Sequence, residues 1–365
     1  MISPADQPYM AQALRLAERG LYSTSPNPRV GCVIVRDGVV VGEGWHQRAG
    51  EAHAEVNALQ QAGTAARGAT AYVTLEPCSH HGRTPPCTEA LLAAGIRRVV
   101  AAMADPNPLV AGRGLAQLQA AGVAVDVGLM ADEAHELNIG FVSRMTRKRP
   151  WVRLKAAASL DGKTALQNGE SQWITGPQAR QDGHCWRARA CAILSGIGTV
   201  RKDDPQLNVR GVDTPRQPLK VIVDSRLELS PAARLLEAGN VLLVSAGQAV
   251  AEVAERAAAL RERGAEILDF PDGKGRVDLL ALLHELARRG LNEVHVEAGS
   301  RLNGALLAAG LVDEVLLYLA PCLLGDTAQG LFALPALESL TGKHQLAIRA
   351  AERLGDDLRV LARTT

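Results

Sequence analysis

His53-Ala54-Glu55, Glu76-Pro77-Cys78 and Cys87 restrict what this chain can fold into more than any other residues. One histidine and two cysteines form a ligand set that zinc prefers, and they leave a fourth position open to water. Ligands so far apart in sequence can share one ion only if the fold brings three segments to a point. Val30 to Val35 and Val39 to Gly44 are apolar, β-branched runs around Asp37-Gly38, a hairpin signal. His53 is expected to open a helix reaching about Gln61. Thr70 to Leu75 reads as a strand, and Pro85-Pro86 precede a helix from Cys87 to Ala94. Each ligand cluster then falls where a strand has ended and a helix begins. Unpaired N–H groups and the helix dipole favour a thiolate at Cys87 in that setting. Residues two apart on a regular helix point in nearly opposite directions. His53 and Glu55 can therefore address one metal only if it lies beyond the helix N-terminus.

H-x-E followed by P-C is the signature of zinc-dependent nucleobase deaminases, in which the glutamate carries the proton. The usual pattern closes with C-x-x-C, whereas here eight residues, Ser79 to Pro86, separate the two cysteines. A structural zinc site is the bland alternative, with His80 or His81 as a fourth ligand. The carboxylate of H-x-E and the P-C at a strand end favour catalysis, with zinc held by His53, Cys78 and Cys87 and Glu55 as the catalytic residue.

The remaining chain alternates strand and helix patterns, which implies a sheet covered on both faces. Residues 8–20 read as a helix, Ile96 to Ala102 and Val123 to Val127 as strands, and about Asp132 to Arg144 as one further helix. The basic, proline-ended stretch Arg147-Lys148-Arg149-Pro150 marks the expected boundary between a domain of residues 1–147 and one of 148–365; 365 residues favour two domains. In the second half Glu293 to Glu297 reads as a strand, and Glu297-Ala298-Gly299 precede a helix able to take a phosphate on its N-terminal N–H groups. Gly196-Ile197-Gly198 fails the dinucleotide fingerprint, because Arg201 occupies the third glycine position, and reads as a turn. Asn27, His46 and Arg83 taken singly fit structural roles. Arg187 and Arg210 fit surface charges as well as an anion site.

Composition bounds the partners. A net charge of +1 and 3% aromatic residues argue against a nucleic-acid surface, so a small-molecule substrate is favoured over a polynucleotide. The stretch Val315 to Gly325 is short and interrupted by Pro321, so no membrane span is expected. The first residues lack a basic segment followed by an apolar run, and the six cysteines are scattered. A reducing cytoplasmic setting is the natural reading.

PNPRVGCVIV, HAE, LEPCSHHGRTPPCT and DPNPLVAGRG in the first half, with LKAAASLDGKTA, ESQWITG, GIGTVRKDDPQLNVR, VDSR and EAGSRLNGALL in the second, resemble the bacterial bifunctional riboflavin-biosynthesis deaminase–reductase family over essentially the whole chain. The family shares the long loop between the cysteines. The resemblance implies an N-terminal cytidine-deaminase-like three-layer α/β/α domain and a C-terminal dihydrofolate-reductase-like α/β domain. It implies zinc-dependent deamination of 2,5-diamino-6-ribosylamino-4(3H)-pyrimidinone 5′-phosphate, then NADPH-dependent reduction of the ribosyl side chain. A homo-oligomer is the expected assembly. The resemblance places Asn27, His46, Arg83 and Asn107 at the deaminase substrate, and Ser171, Arg187, Leu207, Arg210 and Glu297 at the reductase substrate. Ala157, Trp173, Thr199, Asp203, Ser225 and Gly299 match cofactor-contacting positions. The roles of Lys155 and Asp161 stay open. A deaminase with a non-catalytic nucleotide-binding C-terminal module is the rival reading.

Overall fold

In a computed structural model the chain divides into two compact units, Met1–Arg149 and Pro150–Thr365. The structure describes all residues except 81–84, 109 and 248–250, and only the backbone of 251 and 252.

The first unit holds helix α1 (Gln7–Glu18), strands β1 (Gly31–Arg36) and β2 (Val39–Trp45), and helix α2 (Ala54–Ala62). Strand β3 (Thr70–Val73), α3 (Cys87–Ala93), β4 (Arg98–Ala101), α4 (Arg113–Ala120), β5 (Ala124–Val127), α5 (Ala131–Leu137) and α6 (Ile139–Arg147) follow. The sheet order is β2-β1-β3-β4-β5. β2 and β3 run antiparallel to β1, and β3, β4 and β5 are mutually parallel. The two-residue period of a strand sorts the core. Cys32 and Ile34 pack with Ala54, Ala58, Leu91 and Leu118 of α2, α3 and α4 on one face, while Val33 and Val35 pack with Met10, Ala13 and Leu14 of α1 on the other. One expected helix is two. Asn138 separates α5 from α6 because its side chain accepts from the backbone N–H of Arg29 at 2.8 Å and donates to the Arg29 carbonyl at 2.9 Å.

The close fit of α2 to the sheet decides where the metal ligands stand. A Cβ on Gly44 would lie 2.3 Å from the Ala54 carbonyl oxygen and 2.4 Å from the Ala58 nitrogen. Glycine is therefore required for the first turn of α2 to rest on β2, and Asn57 Nδ2 adds a hydrogen bond to the Trp45 carbonyl at 2.9 Å.

The second unit comprises β6 (Trp151–Ser159), β7 (Lys163–Ala165), α7 (Pro177–Arg189), β8 (Ala192–Gly196), α8 (Ile197–Asp203), β9 (Leu219–Val223) and β10 (Val241–Ser245). It continues with α9 (Ala251–Glu262), β11 (Ala265–Asp269), α10 (Leu279–Arg288), β12 (Glu293–Val296), α11 (Ser300–Ala308), β13 (Glu314–Ala320), β14 (Gln329–Gly330), β15 (Leu346–Leu354) and β16 (Asp357–Thr364). Nine strands form one sheet in the order β11-β10-β9-β8-β12-β6-β13-β16-β15, with β7 and β14 pairing separately. From β11 to β13 neighbouring strands are parallel, and the β15–β16 hairpin adds antiparallel to β13. Leu282, Leu286 and Leu306 of α10 and α11 pack on the face of Leu154, Leu194 and Val296; Val200 and Leu260 of α8 and α9 pack on the face of Ile193, Ile222 and Leu243. Gly196-Ile197-Gly198, expected as a turn, instead opens α8 with Gly196 as its N-cap. β8 and β12 are adjacent, but the helices that follow them lie on opposite faces. That is a topological switch point, where open α/β sheets leave a crevice at the carboxyl ends of the strands. Among the described residues, no helix is long and apolar enough to cross a membrane.

Candidate active sites

His53 is the N-cap of α2, in extended conformation, so its ring stands off the end of the helix instead of along its side. Cys87 is the first residue of α3 and Cys78 lies in the segment after β3. His53 Nδ1 is 3.2 Å from Cys87 Sγ and 3.5 Å from Cys78 Sγ, and the Cys87 backbone N–H donates to Cys78 Sγ at 3.3 Å. All three ligand atoms lie within 4.8 Å of one another, and these residues form the one such group among the described residues. One nitrogen and two sulfurs at this separation fit a zinc ion with an open position. His80 is exposed and outside the group; His81 lies outside the described residues, as does Arg83. Without metal the thiols share a proton unevenly. The hydrogen bond from Cys87 brings Cys78 down to about 4, and the same bond raises Cys87.

Glu55, in the first turn of α2, is 3% exposed beside these ligands. Burial pushes its carboxyl up to about 7, with Cys78 adding to the rise. His46 is buried with its ring edge-on to His53, centroids 5.2 Å apart. Its Nδ1 faces the Ala52 carbonyl at 3.2 Å and its Nε2 faces Asn27 Nδ2 at 3.0 Å. A carbonyl can only accept, so Nδ1 carries the proton and Nε2 accepts from the Asn27 amide. The Asn27 amide thus gives its nitrogen to His46 and turns its oxygen the other way.

Glu76 was a motif residue without an assigned task. Its buried carboxylate accepts backbone N–H groups of Asp105, Gly112, Gly114 and Leu115 at 2.8 to 3.4 Å. It ties the chain around Asn107 to the strand end that carries Cys78. Asn107 lies on that tethered stretch, its N–H bonded to Asp105 Oδ1 at 2.8 Å.

The second unit contains a cavity of about 1980 Å³ at the switch point. Ser171, Arg187, Leu207, Arg210 and Glu297 all line it. So do Ala157, Trp173, Thr199, Asp203, Ser225 and Gly299. The N-caps of α8 and α11, Gly196 and Gly299, both face this space, and a Cβ on Gly198 would meet nothing within 4 Å. Arg187 donates Nε to Glu297 Oε1 and Nη2 to Oε2, the second at 2.8 Å. Burial pushes Glu297 up, but Arg187 and Lys155 outweigh it and hold the carboxyl well below the usual range.

Two residues left open by the sequence part company here. Lys155 lines the cavity, its ammonium 5.8 Å from the Tyr318 ring, with burial lowering its pKa against the pull of Glu297. Asp161 instead accepts the N–H groups of Leu324 and Gly325 and serves a loop. His184 is a cavity residue that sequence reasoning missed. Its Nδ1 accepts the Arg210 N–H at 3.2 Å, and burial together with Arg187 and Arg210 lowers it to about 4.

Residues 3–103 match the family model of the cytidine and deoxycytidylate deaminase zinc-binding region, and residues 150–360 match the RibD C-terminal domain. The riboflavin biosynthesis protein RibD of Escherichia coli (strain K12) is 50% identical over 366 residues, covering 97% of this chain and 98% of the relative. The chain belongs to the RibD family. RibD of Acinetobacter baumannii, form 1, superposes with a TM-score of 0.91 at 45% identity, covering 99% of both chains. A Thermotoga maritima structure described as a diaminohydroxyphosphoribosylaminopyrimidine deaminase/5-amino-6-(5-phosphoribosylamino)uracil reductase has a TM-score of 0.86 at 32% identity, again over 99% of both. RibD membership bears out the expected fold class, cytidine-deaminase-like α/β/α followed by a dihydrofolate-reductase-like α/β half.

Proposed function

We propose that this chain catalyses two consecutive steps of riboflavin biosynthesis: residues 1–147 hydrolytically deaminate 2,5-diamino-6-ribosylamino-4(3H)-pyrimidinone 5′-phosphate, and residues 148–365 reduce the ribosyl side chain of the product with NADPH. The observation that carries the reading is one chain holding both a three-ligand zinc pocket with a buried glutamate and a cavity lined by all eleven reductase candidates. The rival of a non-catalytic C-terminal module fits less well, because that cavity brings together a half-buried carboxylate, guanidinium and ammonium beyond what nucleotide binding needs.

In the first half His53, Cys78 and Cys87 hold the ion, and zinc bound there supplies Lewis-acid activation of water at neutral pH. Glu55, poised near neutrality by burial, accepts the proton of the attacking water and returns it to the departing amino group. Water and the aminopyrimidine thus become the ring carbonyl and ammonia. His46 fixes the Asn27 amide so that its oxygen is offered to the pyrimidine. Asn107 and Arg83 are assigned to the rest of the ribotide.

In the second half the N-termini of α8 and α11, with Ala157, Trp173, Thr199, Asp203, Ser225 and Gly299, are suited to a phosphorylated dinucleotide. NADPH bound there supplies the hydride, and the overall reduction also consumes one proton. Arg187 and Arg210 offer forked donors to the sugar phosphate, while Ser171 and Glu297 offer partners to its hydroxyls. The substrate is a small molecule, and the family resemblance favours a cytoplasmic homo-oligomer; sedimentation velocity tests the assembly.

Metal analysis joined to an ammonia-release assay, with and without NADPH, tests the whole reading. One zinc per chain, ammonia without NADPH, and NADPH oxidation that follows deamination are expected. Ammonia release with no NADPH oxidation would favour the non-catalytic module instead.

A further inference from the structure

His295 lies on β12, two residues before Glu297, and is 0% exposed. Its Nε2 is 3.5 Å from Glu297 Oε1, and among the described residues neither ring nitrogen has a hydrogen-bond partner. A buried polar ring without a partner is costly, and a leucine would fill the same space more cheaply. Burial lowers the ring's pKa to about 3, and the Arg153, Arg187 and Lys155 cations add to the fall. The imidazole is therefore neutral, with one N–H to give.

The geometry around Glu297 explains why such a donor is useful. The backbone of Glu297 is fixed: its N–H donates to the Leu194 carbonyl at 2.9 Å, and its carbonyl accepts from Ser195 Oγ at 2.7 Å. Its side chain depends on Arg187, which occupies both carboxylate oxygens. A phosphorylated sugar competes for that same guanidinium, because a phosphate is the stronger forked acceptor. Once Arg187 turns to the phosphate, Glu297 needs another donor to stay aimed into the cavity. Hydrogen bonds that are long in a ligand-free site tighten when it fills.

We propose that His295 is a positioning residue of the reductase site, whose Nε2–H takes over Glu297 Oε1 when an anionic substrate draws Arg187 away. The proposal rests on the reading of this cavity as the reductase site, and the test separates the two. Full-length wild type, His295→Leu and His295→Gln are compared. Glutamine keeps an N–H donor within reach, whereas leucine keeps only volume.

Three readouts are taken: ammonia release, calorimetric binding of ribose 5-phosphate without NADPH, and steady-state reduction of the deaminated ribotide. His295→Leu is expected to weaken sugar-phosphate binding and lower the reductase kcat/KM by about tenfold, as for loss of a hydrogen bond to a charged group. His295→Gln is expected to stay within about threefold of wild type in both readouts. Ammonia release and the KM for NADPH stay unchanged in both variants. A leucine variant equal to wild type, or a glutamine variant as impaired as leucine, overturns the proposal. Wild type that oxidises no NADPH would instead overturn the assignment of the cavity.

Discussion

Arg187 grips Glu297 at two points, although 110 residues separate them, and its remaining Nη1 donates to the Asn208 carbonyl at 3.0 Å. A helix side chain is thereby held against the end of the strand that leads into the cavity. Lysine at position 187 keeps the charge but loses the planar fork. Arg187→Lys is expected to raise the reductase KM for the deaminated ribotide by about tenfold or more, since a charge-assisted bidentate contact is lost. Steady-state kinetics with that compound checks it, and unchanged ammonia release shows that the deaminase half is intact.

Glu55→Gln removes the proton carrier while preserving volume. Zinc content should stay at one per chain, and ammonia release should fall by about 10²- to 10⁴-fold, the usual span for a lost general acid–base. The same variant fed deaminated ribotide should oxidise NADPH at the wild-type rate. A variant that still releases ammonia at near the normal rate removes Glu55 from the mechanism.

Gly44 tests whether the metal site is positioned by the sheet. The methyl of Gly44→Ala would sit 2.3 Å from the Ala54 oxygen, inside any tolerated contact, and the atoms in the way are backbone. Helix α2 must shift, and His53 and Glu55 move with its first turn. Loss of zinc on dialysis against a mild chelator is expected, with NADPH oxidation from deaminated ribotide retained. Tight zinc in this variant would mean that the ligands hold the ion without support from β2.

The zinc site was legible because its residues lie in short local motifs whose chemistry admits few alternatives. Several strands were legible as apolar, β-branched runs, and α2, α3 and α11 from the residues that open them. What escaped depends on distant partners. Asn138 breaks a continuous helical pattern by pairing with the Arg29 backbone, 109 positions away. Glu76 stands in an evident motif, yet its task becomes visible only when four backbone N–H groups from a later segment converge on it. Lys155 and Asp161 look equivalent in sequence and separate only once the strand runs between them. His295 alternates with Glu293 and Glu297 along a strand whose other positions are valine, and the sequence does not say which of the three serves the cavity.

His295 also gives the clearest dependence of stability on pH. Its folded pKa is depressed from 6.5 to about 3, chiefly by burial, and it is wholly enclosed. Between those values the unfolded chain binds a proton that the folded chain refuses, so stability falls as the pH falls. Each pH unit in that window removes about 1.4 kcal/mol, or about 2 kcal/mol from pH 6.5 to pH 5. His184, lowered to about 4, acts in the same sense, but it is common to wild type and His295→Leu. The difference between those two proteins therefore isolates His295. Denaturant unfolding at pH 7 and pH 5 should show wild type losing about 2 kcal/mol more than His295→Leu. Equal losses in the two would mean that the imidazole takes up its proton inside the folded protein, with Glu297 as the counter-charge.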